Sequence, residues 1–187
     1  MRSVAVALVH FPVLDRGGAE VTTAITNLDV HDIARSAFTY GIERYFIVHP
    51  IDAQRKLVER VRAHWVEGAG RLRIPDRQFP MRAVEVVPDL AAACATFARD
   101  EPLELWSTSA AETEGALSHS AARALLEKSG PKVLILFGTG WGLSPRIHEQ
   151  ISHRLAPIQS PRPDGYNHLS VRAAAAILFD RLFAQRL

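Results

Sequence analysis

Three stretches in the C-terminal third carry the strongest structural signal in this 187-residue sequence. They are Leu134-Ile-Leu-Phe-Gly-Thr-Gly-Trp-Gly-Leu-Ser144, Leu155-Ala-Pro-Ile158 and Tyr166-Asn-His-Leu-Ser-Val-Arg-Ala-Ala-Ala-Ala176. The first predicts a buried strand, a glycine turn and a helix that is capped by Ser144 with Pro145 at its first position. The second predicts the end of another apolar strand, and the third a polar loop that runs into an alanine-rich helix.

The rest of the chain alternates between strand and helix patterns. The valine-rich run 4–11 predicts a central strand buried on both faces, followed by a loop with Gly17 and Gly18. Further strands are predicted at 44–48, 83–87, 103–106 and 132–137, and helices at 26–40, around 57–65, 90–98 and 120–128. A basic loop is predicted over 68–82. The alternation predicts one α/β domain over residues 1–187, with a mostly parallel sheet and helices on both faces.

Composition excludes several classes of protein. A hydrophobic fraction of 48% with 22% charged residues is ordinary for a soluble globular domain, and no apolar run is long enough to span a bilayer. The single cysteine, Cys94, rules out an internal disulfide and a cysteine-based metal site. We therefore expect a cytoplasmic protein with no membrane association and no bound metal.

Basic residues concentrate in one part of the chain, although the net charge is only +2. Residues 52–82 contain eight Lys or Arg against four Asp or Glu, and seven of the eight are arginine. Arginine pairs bidentately with phosphate, so this excess favours a polyanionic partner. A solvated helix face with salt bridges to Glu59 and Glu67 explains the same composition equally well.

The glycine turn 138–142 does not match the common nucleotide-binding patterns. It has no lysine at P-loop spacing, and Gly142 arrives one residue too early for G-x-G-x-x-G. Taken alone, the turn is typical of any strand-to-helix connection.

Taken together, the three stretches resemble the cofactor-binding loops of the SPOUT class of S-adenosylmethionine-dependent RNA methyltransferases. The resemblance implies a C-terminal trefoil knot, which no periodicity in the sequence indicates. It implies that S-adenosylmethionine is the cofactor and is held by backbone groups and apolar side chains. The residues it assigns to the cofactor are Leu136, Phe137, Gly138, Gly140, Leu143, Pro157, Ile158, Asn167, His168, Leu169, Ser170, Val171 and Ala173.

The N-terminal helix carries a second point of resemblance. SPOUT enzymes that methylate the ribose 2′-oxygen have an asparagine six residues ahead of a catalytic arginine. Arg35 matches that arginine, but Asp29 stands in place of the asparagine, and His168 replaces another asparagine in the third loop. Because of these differences, the sequence does not decide whether the methylated atom belongs to a base or to a ribose.

The resemblance is closest to a small bacterial branch of SPOUT RNA methyltransferases. That branch shares the segments His10–Val13, Thr26–Ser36, Gln54–Val58 and Tyr166–Arg172 of this sequence. It implies methyl transfer to tRNA or rRNA by a homodimer that pairs through its first and last helices. Under this interpretation the arginines of the basic segment contact RNA, and the candidates are Arg55, Arg60, Arg62, Arg71 and Arg73.

Candidate catalytic residues lie at the start of the first long helix. Asp29, His31 and Asp32 fall on its first turn, and Arg35 follows one turn later. Asp32 or His31 is a candidate proton acceptor, and Arg35 a candidate phosphate anchor; the acids also suit a helix N-terminus for purely electrostatic reasons.

Two questions stay open at this stage. His10 and His49 each follow an apolar strand and are either buried structural histidines or site groups. The alternative function is a nucleotide- or RNA-binding module that keeps the fold without turnover.

Overall fold

The computed structural model describes residues 1–185 and is built around one parallel sheet. Its strands are β1 (Val4–Val9), β4 (Arg44–Val48), β5 (Val84–Val87), β6 (Leu103–Ser107), β7 (Lys132–Gly138) and β8 (His153–Arg154). They lie in the order β5-β4-β1-β7-β6-β8, and every neighbouring pair is parallel. Two further strands, β2 (Val13–Leu14) and β3 (Glu20–Val21), pair as a separate antiparallel hairpin.

Helices connect the strands and cover both faces of the sheet. The longer ones are α1 (Asn27–Thr39), α2 (Asp52–Val66), α5 (Leu90–Ala98), α6 (His119–Glu127) and α8 (Val171–Phe183); the shorter ones are α3 (Ala69–Arg73), α4 (Gln78–Arg82) and α7 (Pro145–His148). Several begin at a polar residue whose side chain accepts a backbone N–H, as Thr26, Ser144 and Ser170 do. Among residues 1–185 no helix is long and apolar enough to cross a membrane.

Strand β1 shows why the sheet is buried on both sides. Val4, Val6 and Leu8 point into one apolar cluster with α1 and α8, whereas Ala5, Ala7 and Val9 point into the other with α5. Each large apolar side chain buried in this way stabilises the fold by about 1.5–3 kcal/mol relative to exposure. The predicted α/β architecture is confirmed.

One loop prediction is wrong, and a second, the loop with Gly17 and Gly18, omits the two short strands that flank it. The supposed basic loop over 68–82 contains α3, a 3-10 turn at Pro75–Arg77 and α4, because buried Met81 docks this segment against α1 and α2. The glycine loop after β1 is the β2–β3 hairpin. In addition, the strand expected to end near Pro157 covers only His153–Arg154, with a single bridge from Leu155 to Leu117.

The parallel topology brings the key loops to one edge. β1, β6 and β7 are adjacent and parallel, so the segments that follow their carboxyl ends meet on the same side of the sheet. These segments begin at His10, Thr108 and Thr139. In parallel α/β sheets this edge is where ligands bind.

Candidate active site

A cavity of about 860 Å³ opens at this edge of the sheet. All three C-terminal stretches contribute to its walls, although they are far apart in sequence. The predicted cofactor residues that line it are Phe137, Gly138, Gly140, Ile158, Asn167, His168, Leu169 and Val171. The others that were predicted, which do not line it, are Leu136, Leu143, Pro157, Ser170 and Ala173. Leu136 and Leu143 are buried in the core, and Ser170 caps α8.

Backbone hydrogen bonds hold the glycine turn against the β2–β3 hairpin. The Trp141 N–H donates to the Leu14 carbonyl at 2.9 Å, and the Leu14 N–H donates to the Gly142 carbonyl at 2.9 Å. Gly140 has a φ of +59°, and a Cβ there would lie 2.8 Å from the Leu14 oxygen. Glycine is therefore required at this position for both conformation and space.

A carboxylate locks the hairpin onto the helix that follows the turn. Glu20 accepts hydrogen bonds from the buried Ser144 hydroxyl and from the Arg146 guanidinium. The Ser144 bond first and the Arg146 bond second hold the pKa of Glu20 below its ordinary value. The sequence analysis missed this contact because Glu20 lies in an element that it did not predict.

His119 fastens the second stretch to two helices. The Arg181 guanidinium donates to His119 Nδ1 at 3.1 Å, so the proton of a neutral ring is on Nε2, which donates to the Ala156 carbonyl at 2.8 Å. Burial is the main cause that lowers the pKa of His119, and the neutral form is therefore favoured. Residues 155–158 are thereby tied to α6 and α8.

The N-terminal helix and the third stretch meet in an ion pair at the cavity wall. Asp29, which is buried, accepts from Arg172 Nη1 at 2.7 Å and from the Thr26 hydroxyl at 2.6 Å. Arg172 Nε also lies 3.6 Å from Asp32. Of the candidate catalytic residues, Asp29 lines the cavity. Asp32 does not line it, but is linked to Asp29 through their shared partner Arg172.

His31 and Arg35 lie outside the cavity lining. The Trp65 indole N–H donates to His31 Nε2 at 3.1 Å, which turns this ring toward α2. Burial first and Arg77 second lower the pKa of His31. Arg35 is exposed, and its side chain forms no hydrogen bond or ion pair with any residue between 1 and 185.

The two buried histidines at the strand ends differ. His49 is satisfied, since its Nε2 bonds the Thr23 carbonyl at 3.0 Å and its Nδ1 accepts the Ile51 N–H at 3.1 Å. His10 lines the cavity, and its Nδ1 lies 2.9 Å from the Thr23 hydroxyl. Its Nε2 is buried and has no partner within the described residues. Burial first and His49 second lower the pKa of His10 to about 4.

Sequence reasoning also missed other wall residues. They come mostly from the segment after β6 and from the chain before α1: Thr23, Ala24, Thr108, Ser109, Ala110, Ala111, His119, Leu155, Ala156 and Leu178 line the cavity as well. The run of small residues directly after β6 was a usable signal, because ligands bind beyond the carboxyl ends of parallel strands.

The five candidate RNA-contacting arginines are not equivalent. Arg60, Arg71 and Arg73 are exposed and make no ion pair with the described part of the chain. Arg62 is paired with Glu59 at 3.6 Å, and Arg55 donates to the carbonyls of His49 and Pro50. The Arg55 guanidinium therefore caps the end of β4 and is less available to RNA than the three exposed arginines.

The cavity fits the cofactor that the resemblance implies. Its volume lies within the usual 300–1,000 Å³ of small-molecule sites. Phe137, Ile158 and Leu169 supply apolar walls, and Gly138, Gly140 and Gly142 place the backbone of the glycine turn in the lining. Residues 1–185 contain no cluster of three His, Cys, Asp or Glu side chains arranged to hold a metal ion.

Solved structures show the same fold. TrmJ from Z. mobilis superposes with a TM-score of 0.60 at 18% identity, over 97% of this chain and 69% of that chain. The A. aeolicus TrmH/SpoU tRNA modifying enzyme superposes with a TM-score of 0.59 at 15% identity, over 100% of this chain and 76% of that chain. The fold is therefore that of the SPOUT class.

Sequence comparison identifies the family. The family model described as SAM-dependent RNA methyltransferase matches residues 3–184, so the chain belongs to that family, whose cofactor is S-adenosylmethionine. It is 40% identical over 184 residues to a protein named tRNA (guanine-N(1)-)-methyltransferase from Nitratidesulfovibrio vulgaris. That match includes 97% of this chain but only 42% of the relative, so the chain spans less than half the length of the protein that carries the name.

Proposed function

We propose that this protein transfers a methyl group from S-adenosylmethionine to a base or ribose atom of tRNA. One observation carries the proposal: three segments with the SPOUT loop pattern converge on a single cavity at the ligand-binding edge of the sheet. When bound, the cofactor supplies an activated methyl group on a sulfonium centre, so the protein has to orient the nucleotide and manage one proton.

Lining residues divide into two proposed roles. The glycine turn, Ile158 and the segment 165–171 hold the cofactor through backbone groups and apolar side chains. Asp29 lines the cavity and is paired with Arg172 behind it, and this charged pair is suited to orienting a nucleotide. Asp32 supports Arg172, and the exposed Arg35 is proposed to contact the RNA backbone, whereas His31 is held against α2 by Trp65.

tRNA is the proposed substrate for two reasons. The Nitratidesulfovibrio vulgaris relative is named for a tRNA reaction, although that name belongs to a protein more than twice as long as the matched region. Exposed arginines on and next to α3 also offer phosphate contacts. The guanine N1 position in the relative's name is not carried over, because the unmatched part of that protein is a possible site of that activity.

We further propose a cytoplasmic homodimer of a single domain, with the C-terminal segment knotted as in the SPOUT class. The outer face of α1 supports dimerisation because it exposes Leu28 and Phe38, with Phe79 stacked on Phe38 at 6.3 Å between ring centroids. A two-fold axis along α1 buries this apolar surface against its copy. Light scattering should give about twice the chain mass of 20.6 kDa.

Methyl transfer tests the central proposal. Purified protein is incubated with methyl-labelled S-adenosylmethionine and total tRNA or rRNA from a strain that lacks the protein. We expect label in tRNA with wild-type protein and none without it. Label in rRNA alone shows that rRNA, not tRNA, is the substrate. Cofactor binding with no transfer to either RNA supports the non-catalytic RNA-binding alternative.

A charge-reversal pair tests the RNA surface. Arg71→Glu with Arg73→Glu should weaken tRNA binding and reduce the slope of log affinity against log salt by about 2, with cofactor affinity unchanged. Lys128→Glu, at the exposed C-terminal end of α6, is the control. Equal tRNA affinity for both proteins across the salt series excludes this surface.

A further inference from the structure

We propose that His10 Nε2 accepts the proton that the target nucleotide loses during methyl transfer. The proposal rests on the methyltransferase function above and names a residue for the proton step. His10 lies at the end of β1, next to the glycine turn, and lines the cavity.

A chain of hydrogen bonds fixes the His10 tautomer. The Thr139 hydroxyl donates to the Val9 carbonyl at 3.1 Å, so it accepts from the Thr23 hydroxyl at 2.5 Å. The Thr23 hydroxyl has then used its only hydrogen, and its 2.9 Å contact with His10 requires a donor on Nδ1. All three bonds exist together only when His10 carries its proton on Nδ1, which leaves a lone pair on Nε2.

That lone pair has no partner in the described structure. His10 is 1% exposed, and its Nε2 is one of five buried side-chain nitrogens in residues 1–185 without a hydrogen bond. A buried acceptor without a donor costs about 1–3 kcal/mol, so such a group needs an explanation. The other four belong to Arg2, His31, Arg62 and His148, none of which lines the cavity. Of these five residues, His10 is the one that lines the cavity, and we assign the missing partner of its Nε2 to a ligand N–H or O–H.

Other titratable groups in the wall are less suited to this step. His119 uses both ring nitrogens, one for Ala156 and one for Arg181. Asp29 is held by Arg172 and Thr26, and His168 is exposed to solvent. Burial lowers the pKa of His10 to about 4, so the ring is neutral and its Nε2 lone pair is unprotonated at physiological pH. A nucleotide that has gained the methyl group and not yet lost its proton is cationic, and is therefore acidic enough to pass the proton to this weak base.

The proton step balances with no further reagent. The nucleotide forms a bond to the methyl carbon, and the carbon–sulfur bond breaks with its electron pair left on sulfur. The nucleotide N–H or O–H proton passes to His10 Nε2, and the imidazolium then releases it to solvent. This assignment differs from the sequence-based candidates Asp32 and His31, neither of which lines the cavity.

One substitution and a matched control test the role of His10 Nε2. His10→Asn keeps a donor near the Nδ1 position for Thr23 and removes the acceptor, so it should lower methyl transfer by about 10²–10⁴-fold and leave cofactor affinity within about threefold of wild type. His148→Asn is the matched control, because it also removes a ring with an unpartnered buried nitrogen but lies outside the cavity wall. It should keep full transfer activity. Transfer by His10→Asn within threefold of wild type overturns the proposal.

A spectroscopic readout tests the wild-type protein without turnover. ¹⁵N NMR of histidine-labelled protein with the demethylated cofactor should show His10 as the Nδ1–H tautomer, and added tRNA should shift its Nε2 resonance toward the hydrogen-bonded value. An Nε2–H tautomer, or an Nε2 signal unmoved by saturating tRNA, overturns the proposal even if His10→Asn fails to fold. If wild-type protein transfers no methyl group, the proposed function fails instead, so the two failures are distinguishable.

Discussion

Two segments line the same cavity but are held very differently. The glycine turn 138–142 is bound through its backbone to the β2–β3 hairpin, more than 120 residues away in sequence. The segment 161–170 makes mainly local bonds, such as the Gly165 N–H to the Arg162 carbonyl at 3.2 Å and the Arg162–Asp164 ion pair. Within residues 1–185, one hydrogen bond joins it to the opposite wall of the cavity: the Asn167 side-chain amide donates to the Ala110 carbonyl at 3.2 Å.

This difference indicates which wall is formed in advance. A turn fixed by backbone bonds to another element offers its N–H and C=O groups in one geometry, which lowers the ordering cost of binding. A segment held mainly by local bonds is less constrained by the rest of the fold and can adopt more than one conformation. It therefore suits the side of the cavity that adapts to a ligand.

The largest effect is expected at the glycine turn. Gly140→Val should abolish detectable binding of S-adenosylmethionine by calorimetry, a loss of at least about 100-fold, because its Cβ would meet the Leu14 carbonyl in a left-handed conformation. Gly165→Ala is the matched control, since Gly165 has a φ of +71° but nothing within 4 Å of the added Cβ. It should weaken binding only severalfold. Equal losses in both variants contradict the comparison.

A second effect compares two ion pairs near the third stretch. Arg172→Ala leaves Asp29 buried without its cation and should lower the free energy of unfolding by about 1–3 kcal/mol, a range discounted because Arg172 is partly exposed. Arg162→Ala breaks an exposed pair and should change stability by less than about 1 kcal/mol. Urea denaturation measures both. A larger loss of stability for Arg162→Ala than for Arg172→Ala contradicts the assignment of Asp29–Arg172 as the more stabilising of the two ion pairs.

The smallest effect concerns the lock on the hairpin. Glu20→Gln keeps one acceptor but loses the charge, so cofactor affinity should fall by a few-fold. Because the folded protein lowers the pKa of Glu20, its contribution is present above the ordinary value of 4.5 and is lost as pH falls through the lower folded value. Wild-type affinity should therefore converge on that of Glu20→Gln in acid. Parallel pH profiles for the two proteins show that Glu20 does not support the turn.

The sequence predicted the main architecture well because its signals are local. Apolar runs define β1, β4 and β7, and α5 occupies the predicted 90–98 with Asp89 as its cap. The three loops were assigned to one site from their resemblance. Parallel strand order explains why the first two meet at one edge, whereas the third is placed there by α8, which packs against α1 and α6.

What the sequence did not predict depends on distant contacts. The β2–β3 hairpin consists of two-residue strands that exist by pairing with each other and with the glycine turn. His31 has the same helical spacing as a site residue, yet Trp65 turns it away. The Asp29–Arg172 pair joins residues 143 positions apart, and no periodicity indicates it.

Calorimetric titration of the wild-type protein with S-adenosylmethionine and its demethylated product tests the central claim most directly. The structure predicts one site per chain, with an affinity that is unchanged by a metal chelator because no described residue cluster suits a metal. It also predicts that Gly140→Val removes the binding while the protein stays folded by circular dichroism. Absence of binding for both molecules to folded wild-type protein contradicts the assignment of this cavity.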